Sequence, residues 1–149
     1  PSNKIELIKH NTHFAHYYTA FLIFKENKLF GSGFRTFRYE SFKEKYKIGN
    51  KHHLTKSPLL NHGNTHPHQF HFEILSNLGI LGYLLIIFNF FIILLDKRKN
   101  DLNHLQLSSK LFLIASLIPI LPSGSFFSTF NATIFWVNYA FLIYNKEHK

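Results

Sequence analysis

From Leu78 to Leu95 the chain runs for 18 residues without a charge, interrupted in polarity only by Asn89, and the apolar pattern extends back through Ile74 and Leu75. About 20 apolar residues of helix match the ~30 Å thickness of bilayer hydrocarbon, so this stretch predicts a transmembrane helix. A second apolar run, 111–127, contains Pro119 and Pro122. It predicts a kinked span whose freed carbonyls are satisfied by neighbouring helices. A third run, 130–144, holds Asn138 together with Trp136, Tyr139 and Tyr144, aromatics of the kind that sit at a membrane interface. Upstream, Phe14, Tyr17, Phe21 and Leu22 share a helical face, and Gly31 and Gly33 end the pattern. Only the eleven residues from Phe14 to Phe24 are free of charge there, too few to cross a bilayer, so an amphipathic helix is expected at the interface or packed on the bundle. Residues 35–66 are basic and poor in apolar side chains, with Gly49-Asn50 and Ser57-Pro58 as turn signals; they predict loop with one short helix near 39–46. The expected fold is an all-α integral membrane protein. An extracytoplasmic loop region with short helices, 1–73, precedes three transmembrane helices within 74–149, at about 74–95, 111–127 and 130–144.

Charge sharpens this division. Residues 1–73 carry 11 Lys/Arg against 5 Asp/Glu, and residues 74–149 carry 6 against 3. Asp96-Lys97-Arg98-Lys99 follows the first span at once and reads as its cytoplasmic stop, which places the long N-terminal loop outside the cytoplasm; Lys146 and Lys149 return the terminus to the cytoplasmic side. The sequence begins at Pro1 and has no methionine, so a C-terminal fragment, inactive by itself, is expected. The absence of cysteine excludes disulfides and thiolate zinc sites. The net charge of +9 could serve nucleic acid, but no recognition motif accompanies it and the basic loop is joined to membrane spans. No nucleic-acid partner is expected; membrane lipid or a lipid-linked anionic glycan fits the charge better.

The chemistry concentrates in His68 to Gly82, HQFHFEILSNLGILG. Pro67 suits the first position of a helix, with Thr65 or His66 as its cap, which puts His68 in the first turn. His68, His71, Leu75, Gly79 and Gly82 then fall on one stripe, along which a ligand or another helix can approach closely. The positive end of the helix dipole disfavours imidazolium, keeping His68 neutral and able to accept a proton, and it attracts phosphate. Arg35 and Arg38 are candidates for a phosphate clamp, because a guanidinium pairs bidentately with phosphate and keeps its proton; the other reading is a pair of solvated loop charges or lipid head-group contacts. For His68 the plainer reading is a polar residue at a helix start.

His68-Gln69, nine residues, then Gly79-Ile80-Leu81-Gly82 resembles the His-[Asn/Ser/Gln]-x9-Gly-x-x-Gly pattern of the bacterial O-antigen ligase and polymerase superfamily. LIFKENKLFGSGFRTFR, residues 22–38, is similar to a block that precedes that motif in the family, with Lys28 where proline is usual. An arginine often found further upstream is absent, and the neighbourhood reads His10, Asn11, Thr12, His13, Phe14. The resemblance implies a multi-pass enzyme of the bacterial inner membrane, with its loop in the periplasm, that transfers a glycan from undecaprenyl diphosphate. It implies His68 as general base, Gln69, His71, Gly79 and Gly82 as supporting motif residues, and Arg35 and Arg38 on the diphosphate. No metal or other cofactor is expected. The acceptor divides the superfamily: lipid A-core for a ligase, a second lipid-linked repeat for a polymerase, a protein hydroxyl for an oligosaccharyltransferase. A different class of function is a non-enzymatic transporter or metal-binding subunit using His66, His68 and His71 with Glu73, or His10, His13 and His16. Residues two apart on a helix do not share a face, however, and the His-x-x-x-His of helical zinc sites is missing. His52, His53 and His62 read as loop residues.

Overall fold

A computed structural model describes residues 12–46, 64–95, 102–119 and 121–144. The expected turns at Gly49-Asn50 and Ser57-Pro58, the basic stop at 96–99, the terminal lysines and the histidines at 10, 52, 53 and 62 lie outside the described residues. Among the described residues the structure is entirely helical: α1 (Thr12–Glu26), α2 (Phe37–Glu40), a 3-10 turn (Glu44–Tyr46), α3 (Phe70–Leu94), α4 (His104–Ser116) and α5 (Thr129–Ile143).

α1 forms where expected but turns a different face inward. Phe14 and Phe21 are exposed, and Ala15, Thr19, Ala20 and Ile23 are buried. Small side chains on that stripe let the α1 backbone lie close to α3, and close packing outweighs the area that the phenylalanines would bury. Ala20 and Ile23 join Phe37 and Tyr46 in a small core, against which Leu22 and Phe72 pack. Tyr46 donates its hydroxyl to Glu26 at 2.6 Å and Lys45 pairs with the same carboxylate, fastening the 3-10 turn to the end of α1.

α3 is the one described helix long and apolar enough to cross a membrane. It is not a single rod. Gly79 has φ 67° and ψ −168°, which breaks the helix into two segments. The loop after α1 enters that break. Ser32 N–H donates to Ser76 O and Gly33 N–H to Asn77 O, both at 2.9 Å, while Ile80 N–H donates to Lys28 O at 2.8 Å and Leu81 N–H to Leu29 O at 3.2 Å. Backbone groups orphaned by the break are thus paired with a second piece of chain, as a low-dielectric environment demands. Gly31 and Gly79 meet at this crossing. A Cβ on Gly31 would lie 2.3 Å from Asn77 C, and one on Gly79 would lie 2.4 Å from Leu29 O; both residues also have positive φ. The expected continuous stripe from His68 to Gly82 is interrupted here: the close approach is confined to Gly79, and what approaches is the chain's own Lys28–Gly33 loop rather than a ligand or a second helix.

The second apolar run is helical over His104–Ser116 rather than over 111–127. Asn103 and Gln106 form a capping box that starts α4 seven residues early, and the run stops before Pro119, whose ring disfavours helix at the preceding residue. The carbonyls freed there find donors on α3: His71 Nε2 reaches Leu117 O at 2.9 Å and Gln69 Nε2 reaches Pro119 O at 3.0 Å. α5 starts on a Ser128 cap, and Gln106 Nε2 donates to Tyr144 O at 2.7 Å, so α4 and α5 run antiparallel. At 13 and 15 residues each is shorter than the ~20 needed for a perpendicular crossing. Phe70 and Phe90, one on each side of the break, pack with Phe126, Phe135, Leu113 and Leu142 in the main core. Asn89, the polar interruption of the span, accepts a hydrogen bond from Tyr139 Oη at 2.6 Å.

Candidate active site

The α3 helix begins at Phe70, three residues later than the Pro67 start expected from sequence. Gln69 is its cap, with Oε1 accepting from Phe72 N–H at 2.8 Å. Its amide nitrogen is the group that reaches Pro119, so one side chain both starts α3 and ties it to the end of α4. His68 lies outside the helix, with φ at 58°. The only other non-glycine residue with positive φ among the described residues is Arg35, at 57°. Such a conformation costs an ordinary residue roughly 1–2 kcal/mol, and it persists only where the surroundings determine it; these outliers concentrate at functional sites. For His68 the surroundings are visible. Its carbonyl accepts from Ser123 N–H at 2.9 Å, Pro67 before it is buried, and Gln69 after it is committed at both ends of its amide.

The left-handed turn sends the imidazole toward α1, into a group of aromatic nitrogens. Ring centroids of His13, His16 and His66 lie 5.3, 5.6 and 4.1 Å from that of His68. Asn64 Nδ2 sits 3.0 Å from His68 Nε2 and 3.2 Å from His16 Nε2. Burial lowers the proton affinity of His68, with repulsion from His13 adding to it. His16 is lowered furthest, to about 4, first by burial and then by His68, His13 and His66. His66 is lowered by burial, His68 and Arg38. These shifts favour the neutral form of His16, His66 and His68, the state in which an imidazole accepts a proton.

Arg38 stands across from His66. The two line a cavity of about 260 Å³ with Thr65, Gly124, Ser125, Ser128 and Asn131, and Arg38 Nε is buried without a hydrogen-bond partner. Arg35 is exposed. Both guanidinium charges act on Glu73, a buried carboxylate that accepts from Ser125 Oγ at 2.5 Å and Phe126 N–H at 2.6 Å, pinning the Ser123–Ser128 loop beside the cavity. His71 points away from this group. Its Nδ1 meets Tyr83 Oη at 3.0 Å and its Nε2 meets Leu117 O, so it braces α3 across the Gly79 break. Gly82 lies one turn past the break, where an added Cβ would meet Leu78 Cβ at 2.4 Å.

Of the residues singled out in the sequence, the structure brings His68 and Arg38 to the same end of the molecule, with Arg35 beside the latter. Gln69 and His71 tie α3 to the end of α4, Gly79 admits the Lys28–Gly33 loop, and a Cβ on Gly82 would meet Leu78 of its own helix. Among the described residues no group of three or more histidine or acidic side chains is placed to hold a metal ion. His71 and Glu73, the expected partners of His66 and His68 in a metal site, are engaged elsewhere. Asn64, four positions before His68 in an irregular loop, and His16, on a separate helix far away in the sequence, leave no periodic signal that would join them to His68.

Among the described residues, a helical fold with a bilayer-length apolar helix, a strained histidine at its head and arginine charge alongside fits a membrane protein. Residues 9–87, just over half of the chain, match the family model described as O-antigen ligase, and the chain belongs to that family. Membership implies a membrane glycosyltransferase of the O-antigen ligase or polymerase type, with lipid-linked glycan donors and glycan acceptors in the broad sense. No curated protein and no solved structure matches the chain.

Proposed function

We propose that the protein transfers a glycan from an undecaprenyl-diphosphate-linked donor to an acceptor hydroxyl, and that the reaction is O-antigen ligation to lipid A-core. The observation that carries this reading is the left-handed His68, whose imidazole, its proton affinity lowered by burial, stands at the head of the broken α3 helix. His68 removes the proton from the acceptor hydroxyl as that oxygen attacks the anomeric carbon; the bond from that carbon to the diphosphate oxygen breaks, and undecaprenyl diphosphate leaves. Arg38, which lines the cavity beside His66, and Arg35 take up the charge that develops on the leaving diphosphate. The α3 helix spans the bacterial inner membrane with α4 and α5 against it. Residues 1–73 form the periplasmic side, so that site and lipid-linked donor meet at the outer interface. Exposed Leu84, Leu85, Phe88, Phe91, Ile92 and Leu95 support contact with hydrocarbon on α3.

Expression of the full gene product, wild type and His68→Ala, in a strain lacking its own ligase tests this. Polymer on lipid A-core with wild type only is the expected gel pattern, unaffected by a chelator. Absence of transfer to lipid A-core by the wild type would exclude ligation and turn the test to lipid-linked and protein acceptors.

A further inference from the structure

We propose that Asn64 is a positioning residue for His68, holding the imidazole as the proton-accepting tautomer through an amide shared with His16. The inference rests on the reading of His68 as the base, and it concerns what prepares that base before an acceptor arrives.

The orientation of the Asn64 amide is fixed by its own contacts. Oδ1 accepts from Thr65 N–H at 2.7 Å, which leaves Nδ2 facing the histidines. The backbone is held as firmly. Ser41, 4% exposed, donates its hydroxyl to Asn64 O at 2.9 Å and accepts from Asn64 N–H at 3.1 Å. An amide nitrogen has two hydrogens and no lone pair to offer, so both ring nitrogens that it touches must accept. Each of the two histidines is then neutral, with its proton on Nδ1 and its lone pair on Nε2. Protonation of either at Nε2 would set N–H against N–H.

Among the described residues, His13 from α1 and His66 from the same loop also face this pair and disfavour imidazolium on it, His66 itself under the influence of Arg38 on α2. The cluster thus stores an unprotonated Nε2 whose site is kept by a weak donor. An acceptor hydroxyl is also a donor. It replaces the Asn64 N–H at His68 Nε2 one for one and then delivers its proton there, while Asn64 stays anchored to His16, Thr65 and Ser41. The exchange leaves no buried lone pair unpaired before the reaction begins.

The test uses the full gene product in wild-type, Asn64→Ala, Asn64→Asp and Ser41→Ala forms. Two curves are recorded against pH: the glycan-transfer rate, and the rate at which His68 is acylated by diethyl pyrocarbonate, which reacts with neutral imidazole, read by peptide mass spectrometry. Removing a donor to the neutral ring raises its proton affinity, and a carboxylate there raises it further. Both midpoints should move to higher pH by about half to one unit in Asn64→Ala, further in Asn64→Asp, and in the same direction but less in Ser41→Ala. Coincident acylation midpoints in all four proteins would overturn the proposal. If the acylation midpoints shift but His68→Ala transfers glycan normally, the Asn64 link stands and the assignment of the base fails.

Discussion

Around Gly79, the Lys28–Gly33 loop after α1 is joined to α3 backbone to backbone: four amide hydrogen bonds cross the break, and two glycines touch where any Cβ would collide. Where α5 meets the head and foot of α3, the joint is made of rings instead. Phe126 packs edge-on against Phe70 at 4.9 Å and against Phe135 at 5.2 Å, and Phe135 against Phe90 at 5.0 Å. The first kind of joint admits one arrangement, since amide directions and glycine φ values are fixed. The second tolerates change, because aromatic side chains repack at modest cost. The rigid joint lies within residues 9–87, the part that the family model matches, while His68 is held at the head of α3 by Ser123 N–H on its carbonyl and by Gln69, which is tied to Pro119.

Substitutions should divide along that line. Gly79→Ala should have the largest effect, since it combines a positive φ with a carbonyl 2.4 Å from the new methyl group; a loss of roughly 3 kcal/mol or more is expected, read as a collapse of thermal stability in detergent. Acid comes next. His16 is held neutral in the fold, its proton affinity lowered from 6.5 to about 4, so the unfolded chain binds more protons between those values and stability falls as pH drops through that window. His16→Gln should flatten the melting temperature across that range, and an unchanged slope would show that the cluster does not titrate with unfolding. Gln69→Ala removes a cap and the tie to Pro119, for a loss of about 1–2 kcal/mol by the same melting assay. Tyr139→Phe, which deletes only the bond to Asn89 in the ring-packed joint, should cost about 0.6 kcal/mol. A Tyr139 effect as large as that of Gly79 would erase the contrast between the two joints.

The sequence pattern located the long apolar helix, the amphipathic α1 and the histidine-to-glycine motif, and the family follows from that motif. Hydrophobic periodicity records where side chains face, and so it is blind to a helix whose backbone is interrupted while its apolar run continues. Leu78 and Ile80 look alike on either side of Gly79, and only the positive φ reveals the break. The same blindness moved the α3 start to Pro67, because proline and histidine satisfy the rules for a first turn; glutamine, a weak cap by propensity, prevails since its amide also serves Pro119. The α4 start was legible in principle, as Asn103 and Gln106 have capping-box spacing, but the apolar run drew attention to 111 instead. Asn64, joined to residues as distant as His16 and Ser41, belongs to tertiary structure and leaves no local mark.

The most direct measurement is the glycan-transfer rate of the full gene product carrying His68→Ala beside one carrying His71→Ala, at equal amounts of folded protein. Removing a general base costs about 10²–10⁴-fold, so the account predicts a loss of that size for His68→Ala and a near-wild-type rate per folded molecule for His71→Ala, whose ring braces the helix break. Transfer by His68→Ala at the wild-type rate would contradict it, and the strained histidine would then be a structural feature of the helix head alone.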